Sequence, residues 1–478
     1  MTEPVKVGLV PASRTIFDQE LAVSVRDKAL DAMRMAGLEP VAPDTGLTES
    51  GLVQTPVEAE RVSRLFDESG VAGVIIGALN FGNEIPAALA AVGGTKDRPV
   101  LLFGVGEEGE LEREASRRDS FCGLISIATA LRHRERKFVF PARAVGKVDD
   151  RAFVEAFAEF GRVCRAVQGL RGAVYGQVGP RPADFETCAF DEVSLQRKFG
   201  IRVVPIPLST LFSMAGRVDE NRGRPVVKDM MGGADVSAVP TSDLEKMARL
   251  EVAIEDIIEE HNLSGLGLQC WTSMQEDYGI SPCYAMARLT DRGMPCACEA
   301  DIHGTLSMHL LSLAAGTAAG LADWNNRHYQ DVNAFSAWHC GVFPPSLSSG
   351  AKTVSYHNIL AGSTGTPDGK FGTVELELDE GPVTMARVTE HPWDCWPFLV
   401  AEGDVVDLPG EPPGSHGWVR VDDLDLLYAE ILRGFPHHTA LVRGHLGGVL
   451  LAASYFLGLE PVAPLPLGDC RLEVGPEF

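Results

Sequence analysis

Short apolar runs alternate along the first half of the chain with stretches in which apolar side chains recur every three to four positions. VKVGLV, VAGVIIG (71–77), RPVLLF (98–103) and KFVF (137–140) read as strands, and the segment from Glu20 to Met35 reads as an amphipathic helix. Such alternation predicts a parallel sheet covered by helices. A second cycle begins at GAVYGQVG (172–179). It continues through IRVVPIPL (201–208), a long helical segment from Thr241 to His261, GLGLQCW (265–271), MPCACE (294–299) and GLADW (320–324). After about Pro345 the texture changes to short alternating runs, KTVSYHNIL, GTVELELD, PVTMARVTE and WPFLVAEGD, broken by Gly and Pro, with helix-like segments only at 424–433 and 447–458. That part reads as mostly antiparallel β. The expected organisation is an α/β domain over 1–170, a second over 171–345 and a β-rich domain over 346–478.

Composition narrows the class. At 478 residues, with 45% hydrophobic and 23% charged residues, the chain is expected to be a globular protein of two or three domains. Its apolar runs are too short to span a bilayer, so no membrane association is expected. MTEPVKVGLVPA enters a strand at once, without the pattern of a secretory leader, and a cytoplasmic location is expected. The ten cysteines are spread from Cys122 to Cys470, several beside apolar residues, which reads as buried reduced thiols instead of a disulfide framework. A net charge of −24 opposes binding to nucleic acid or anionic membranes and leaves a neutral ligand or a cation as the easier partner.

FGVGEEGE (103–110) contains G-x-G-x-x-G at Gly104, Gly106 and Gly109, after a strand and before a helical segment, the local context of a dinucleotide site. Glu107, Glu108 and Glu110 would stand where a pyrophosphate must sit, and like charges repel. The stretch reads as a turn whose acidic residues favour a helix start, and no dinucleotide cofactor is expected.

CACEADIHG (296–304) concentrates two thiols, two carboxylates and an imidazole. Alternation along an extended strand puts Cys296 and Cys298 on one face and Glu299 on the other, so the thiols read as packing groups and a Cys2His2 zinc site is not expected. Asp301 and His303 read as helix-start or supporting groups. An apolar helical segment follows, then GLADWNN. Read as a right-handed βαβ crossover, this sequence brings two strand-end carboxylates, Glu299 and Asp323, to the carboxyl edge of one sheet, where open α/β sheets bind ligands. Two carboxylates held together call for a cation, and an added imidazole favours Mn²⁺, with Co²⁺ or Mg²⁺ as alternatives. His303, His339 and the pair His437–His438 are the imidazole candidates.

These residues resemble the L-fucose/L-arabinose isomerase superfamily of aldose–ketose isomerases, and more its fucose isomerase branch. CEADIHGTLSMHLL followed by AGLADWNN looks like the family segment with a glutamate and an aspartate metal ligand, which map to Glu299 and Asp323. AWHCGVFP is similar to the His-Cys segment lining the sugar site and maps to His339. GFPHHTALVRGHLGGVLLAASYFLGLEPV resembles the segment supplying the histidine ligand and selects His438. The motifs run in order over about 170–465, while the first α/β unit matches only in general pattern. The resemblance implies two Rossmann-like or flavodoxin-like α/β domains followed by a β-rich, barrel-like C-terminal domain, and assembly into a homo-oligomer such as a trimer or hexamer.

The expected activity is interconversion of a free aldose and its ketose through a cis-enediol. Glu299, Asp323 and His438 are expected to hold the metal, with Glu299 and Asp323 also moving the proton between C1 and C2. His339, Gln269 and Trp271 are expected to line the sugar. L-Fucose, D-arabinose, L-arabinose and a sulfonated or deoxy hexose are the candidate substrates. A metal-dependent epimerase or aldolase, or a sugar-binding protein without catalysis, is the alternative.

Overall fold

The computed structural model describes residues 4–93, 98–110, 116–410 and 412–475. It is a mixed α/β structure with several sheets and a β-rich C-terminal region, divided into two compact units. The first unit comprises residues 1–168, 448–458 and 469–478, and the second comprises 169–447 and 459–468. Among the described residues, no helix is long and apolar enough to cross a membrane.

In the first unit, strands β1 (Val5–Ala12), β2 (Leu38–Val41), β3 (Gly73–Ala78), β4 (Val100–Val105) and β5 (Val139–Pro141) form a parallel sheet in the order β2-β1-β3-β4-β5. Strand β6 (Val145–Gly146) also pairs with β4. The C-terminal strand Leu472–Val474 returns to close the edge, antiparallel to β5. β3 and β4 are buried along their whole lengths, as expected of strands covered on both faces. The following helices carry their own start signals: Asp18 caps Gln19–Met35, and Thr55 with Glu58 forms a capping box before Pro56–Ser69.

The Gly-rich stretch resolves as its acidic residues suggested. Gly104 lies within β4, and Glu107 accepts hydrogen bonds from the amides of Arg118 (2.7 Å) and Asp119 (3.2 Å) ahead of the helix Ser120–Arg132. A carboxylate thus takes the place that a phosphate would need.

The second unit begins with a four-stranded parallel sheet. It is built from β7 (Val174–Val178), β8 (Arg202–Ile206), β9 (Gly265–Leu268) and β10 (Cys296–Cys298), in the order β10-β9-β7-β8. The remaining strands are β11 (Gly320–Arg327), β12 (Ala334–His339), β13 (Thr353–Tyr356), β14 (Phe371–Glu377), β15 (Gly381–Val388), β16 (Pro397–Val406), β17 (Ser415–Arg420), β18 (His438–Arg443) and β19 (Glu460–Val462). These nine form one sheet. Within it β17, β12, β11, β18, β15 and β16 pair antiparallel in that order, and β16 pairs back with β17, so these six strands form a closed ring.

One sequence expectation is corrected here. β10 and β11 are not parallel neighbours joined by a crossover: β11 leaves the parallel sheet and pairs antiparallel with β12 and β18. The intervening helix, Ile302–Ala315, is the physical reason. It is buried from Ile302 through Met308 and contacts β9 and β10 as well as β15 and β18, so it has no solvent face. A helix apolar on every side is sandwiched between two sheets and does not return the chain to the sheet it left. The nine-stranded sheet accordingly begins with β11 at Gly320.

Candidate metal and sugar site

β10 ends at Cys298, and the next two residues, Glu299 (φ 63°) and Ala300 (φ 53°), both occupy the left-handed region. Side chains with a Cβ pay for that conformation, and strain of this kind persists where the surroundings enforce it. Here Ala300 N donates to Leu268 O (3.1 Å) and Asp301 N to Cys298 O (3.1 Å), closing a tight turn against β9. Gly267 makes room for it, since a Cβ at that position would lie 2.8 Å from the Ala300 carbonyl carbon.

The turn delivers two functional residues, Glu299 and Asp301. Glu299 projects forward, and Oε1 accepts a hydrogen bond from Trp271 Nε1 (3.2 Å). Asp301 caps the next helix by accepting from Gly304 N (2.8 Å). The same carboxylate accepts both terminal nitrogens of Arg387, at 2.7 and 3.0 Å, and lies 2.8 Å from His438 Nδ1. Burial opposes charge on Asp301, but Arg387 and His438 outweigh it and hold its pKa well below the usual carboxylate range. An ionised Asp301 makes Nδ1 the protonated nitrogen of His438 and leaves the Nε2 lone pair facing outward.

Asp323 arrives by strand register. β11 and β18 place Asp323 directly opposite His438, and paired residues in an antiparallel ladder project from the same face. His438 Nε2 lies 3.4 Å from Glu299 Oε2 and 3.7 Å from Asp323 Oδ1. All three of these atoms are buried without a hydrogen-bond partner. Burial raises the Glu299 pKa, yet His437, His438 and His339 outweigh it and hold the group below its ordinary value. Anionic oxygens and a lone pair converging with no proton between them repel, unless a cation sits among them. His438, whose other nitrogen is fixed by a carboxylate, shares ligand spacing with Asp323 and His437 on one side and with Glu299 and Cys188 on the other, groups that could hold a metal ion.

Of the proposed sugar contacts, His339 at the end of β12 has its ring 5.4 Å from that of His438. Nδ1 accepts from Cys340 N (2.9 Å), while the buried Nε2 has no partner. With Nδ1 accepting, the ring proton sits on Nε2, which is a donor in search of an acceptor. Trp271 is tied to Glu299 and packs edge-on against Phe185 at 5.4 Å, making it a support for the carboxylate as well as a wall. Gln269 follows β9 at the same carboxyl edge, next to Gly179, and among the described residues no hydrogen bond joins its side chain to the centre. His303 stands apart. Its ring packs on Trp396 at 5.8 Å, and its Nε2 is 3.9 Å from Glu390.

His437, one of the imidazole candidates, stands with its ring 4.0 Å from that of His438 and its Nε2 3.6 Å from Glu299 Oε2 and 4.0 Å from Asp323 Oδ1, and Phe185 packs on its ring at 5.5 Å. Other residues of the centre carried no sequence signal of their own. Arg387 looked like one more residue of a β run. Cys188 also reaches the cluster, its thiol within 4.8 Å of ligand atoms of Glu299 and His438.

Buried carboxylates and imidazoles gathered at one place are the lining of an enzyme site for polar chemistry. Two family models match the chain: fucose/sulfoquinovose isomerase, N-terminal domain, over residues 8–171, and L-fucose isomerase, C-terminal domain, over residues 337–462. Sulfoquinovose isomerase of Priestia aryabhattai is 27% identical over 462 residues, covering 94% of this chain and 97% of the relative. The protein of that name from Alkalicoccus urumqiensis is 29% identical over 351 residues (72% and 75%), and that of Clostridium sp. (strain MSTE9) is 24% identical over 371 residues (76% and 80%). The chain belongs to the fucose isomerase-like superfamily of aldose–ketose isomerases.

Proposed function

We propose that the chain isomerises a sulfonated aldose to its ketose, as the name of its sulfoquinovose isomerase relatives indicates for them, at the centre formed by Glu299, Asp323 and His438. The observation that carries the reading is the convergence of Glu299 Oε2, Asp323 Oδ1 and His438 Nε2, three buried lone-pair atoms without a partner. These residues would hold a divalent cation, Mn²⁺ by donor type with Co²⁺ or Mg²⁺ as alternatives, and the ion would supply Lewis-acid polarisation of the sugar's neighbouring oxygens.

The protein's own groups account for the rest of the chemistry. Isomerisation moves one proton between C2 and C1 and another between the two oxygens. Glu299 and Asp323 stand one on each side of a planar cis-enediol, so that one takes the proton from C2 and the other gives a proton to C1. Trp271 holds Glu299 by Oε1 and leaves Oε2 free to act. Asp301 keeps His438 in the tautomer that presents Nε2. His339 donates from Nε2 to a sugar oxygen as charge develops on it, and Phe185, Trp271 and His437 form an aromatic wall that excludes water.

In this reading residues 1–170 and 171–345 are Rossmann-like or flavodoxin-like parts, the second bringing Glu299 and Asp323, and the barrel-like part 346–478 brings His438. The enzyme works in the cytoplasm as a homo-oligomer, a trimer or hexamer. The test is a panel of free aldoses, sulfoquinovose among them, given to protein stripped with EDTA and reloaded with Mn²⁺. A ketose of unchanged carbon number is expected from the sulfonated sugar. Shorter fragments would establish an aldolase instead, and a C2 epimer without ketose would establish an epimerase.

A further inference from the structure

Three of the ten cysteines come together beside the catalytic edge. Cys283 opens the helix Cys283–Asp291, Cys298 ends β10 and Cys340 follows β12. Their sulfurs all lie within 4.8 Å of one another, and Cys283 Sγ to Cys340 Sγ is 3.9 Å. Cys283 and Cys298 are buried, and Cys340 is partly so.

Ordinary buried thiols find a carbonyl. Cys296 does so, donating to Met294 O at 3.2 Å, two residues before Cys298 in the same strand. The cluster thiols instead face one another, and Cys340 Sγ also lies 3.1 Å from His339 Nδ1. Sulfur ligands at about 2.3 Å from a tetrahedral ion stand roughly 3.8 Å apart, which is close to the spacing seen for Cys283 and Cys340.

We propose that Cys283, Cys298 and Cys340 form a second metal site, a three-thiolate set for a soft divalent ion of the zinc type. Each thiol that binds releases its proton, and no oxidant or reductant is involved. The chain then sorts ions by donor chemistry: the thiolates take the soft ion, and the oxygen-rich centre takes the hard one. Zinc at the cluster ties the helix Cys283–Asp291 to the ends of β10 and β12, the strand ends that present Glu299 and His339.

The experiment uses the full chain, reduced, stripped of metal and kept free of oxygen, and titrated with Co²⁺ and then Cd²⁺. A sulfur-to-metal charge-transfer band that saturates at one equivalent per chain is expected, together with proton release and a higher melting temperature. The band is lost in Cys283→Ala and in Cys340→Ala, and kept in Cys122→Ser and in Glu299→Gln. X-ray absorption of the cadmium-loaded wild type needs no variant to fold and is expected to count three sulfur neighbours. A shell of oxygen and nitrogen alone overturns the proposal. So does a band that survives both cysteine variants, or one that disappears in Glu299→Gln or Cys188→Ser, which would place the ion at the carboxylate centre. These readouts do not pass through isomerase activity, so they stand or fall separately from the proposed reaction.

Discussion

The carboxylate of Asp301 caps a helix through Gly304, holds both terminal nitrogens of Arg387 and accepts from His438, all in a setting closed to water. Its charge is therefore shared between folding and function. Asp301→Asn keeps the shape but leaves the Arg387 guanidinium buried without an anion, a change expected to cost about 3–5 kcal/mol of stability in chemical denaturation. The variant also frees the His438 tautomer, and Mn²⁺ affinity, read by electron paramagnetic resonance titration, is expected to fall roughly 10–100-fold. Unchanged Mn²⁺ affinity in a folded Asp301→Asn protein would show that this residue supports the fold alone. Gly267 makes a second residue-scale test. A Cβ there meets the backbone of Ala300, so Gly267→Ala must displace the turn that aims Glu299. The expected result is a loss of about 1–3 kcal/mol together with a fall of roughly 100-fold in kcat. A wild-type kcat would mean that the turn tolerates movement without misplacing the carboxylate.

The helix Ile302–Ala315 carries its own pH signature. His303 near its start is buried, and burial, followed by the charge of Arg387, lowers its pKa from 6.5 to about 4. A pKa depressed in the folded state means that the unfolded chain takes up the proton first. Stability from this group is complete above pH 6.5 and is lost as pH falls from 6.5 toward 4. Urea midpoints measured across that window should drop more steeply for the wild type than for His303→Gln, and equal slopes would contradict the assignment. The same helix shows where sequence reading stops. The end of β10 was legible because its apolar run stops abruptly at a charged residue, which is how Glu299 stood out; Asp323, read as a second strand end, lies inside β11, which runs on to Arg327. The sheet that β11 joins was not legible, since GLAD fits a parallel crossover and an antiparallel barrel strand equally well until its partners are known. Arg387 and the link from Asp301 to His438 were hidden for the same reason, being contacts between residues far apart in sequence. His438 was picked out by resemblance and not by spacing, and His437 beside it gave no separate signal of its place near Glu299.

At the scale of the whole molecule, the charge of −24 bears on the substrate. A sulfonated sugar is an anion approaching an acidic protein, so long-range repulsion slows the encounter and salt relieves it. kcat/KM for the sulfonated aldose is expected to rise with ionic strength, while that for an uncharged aldose stays level. A fall with salt would point to a local cationic patch that steers the sulfonate in. The most direct measurement of the central claim is NMR observation of sulfoquinovose incubated with Mn²⁺-loaded wild type, Glu299→Gln and Asp323→Asn. Wild type is expected to produce the ketose, and each variant to lose at least about 100-fold in rate while remaining folded. No ketose from the wild type with metal restored, or near-normal rates in both variants, would contradict the assignment of the reaction to this centre.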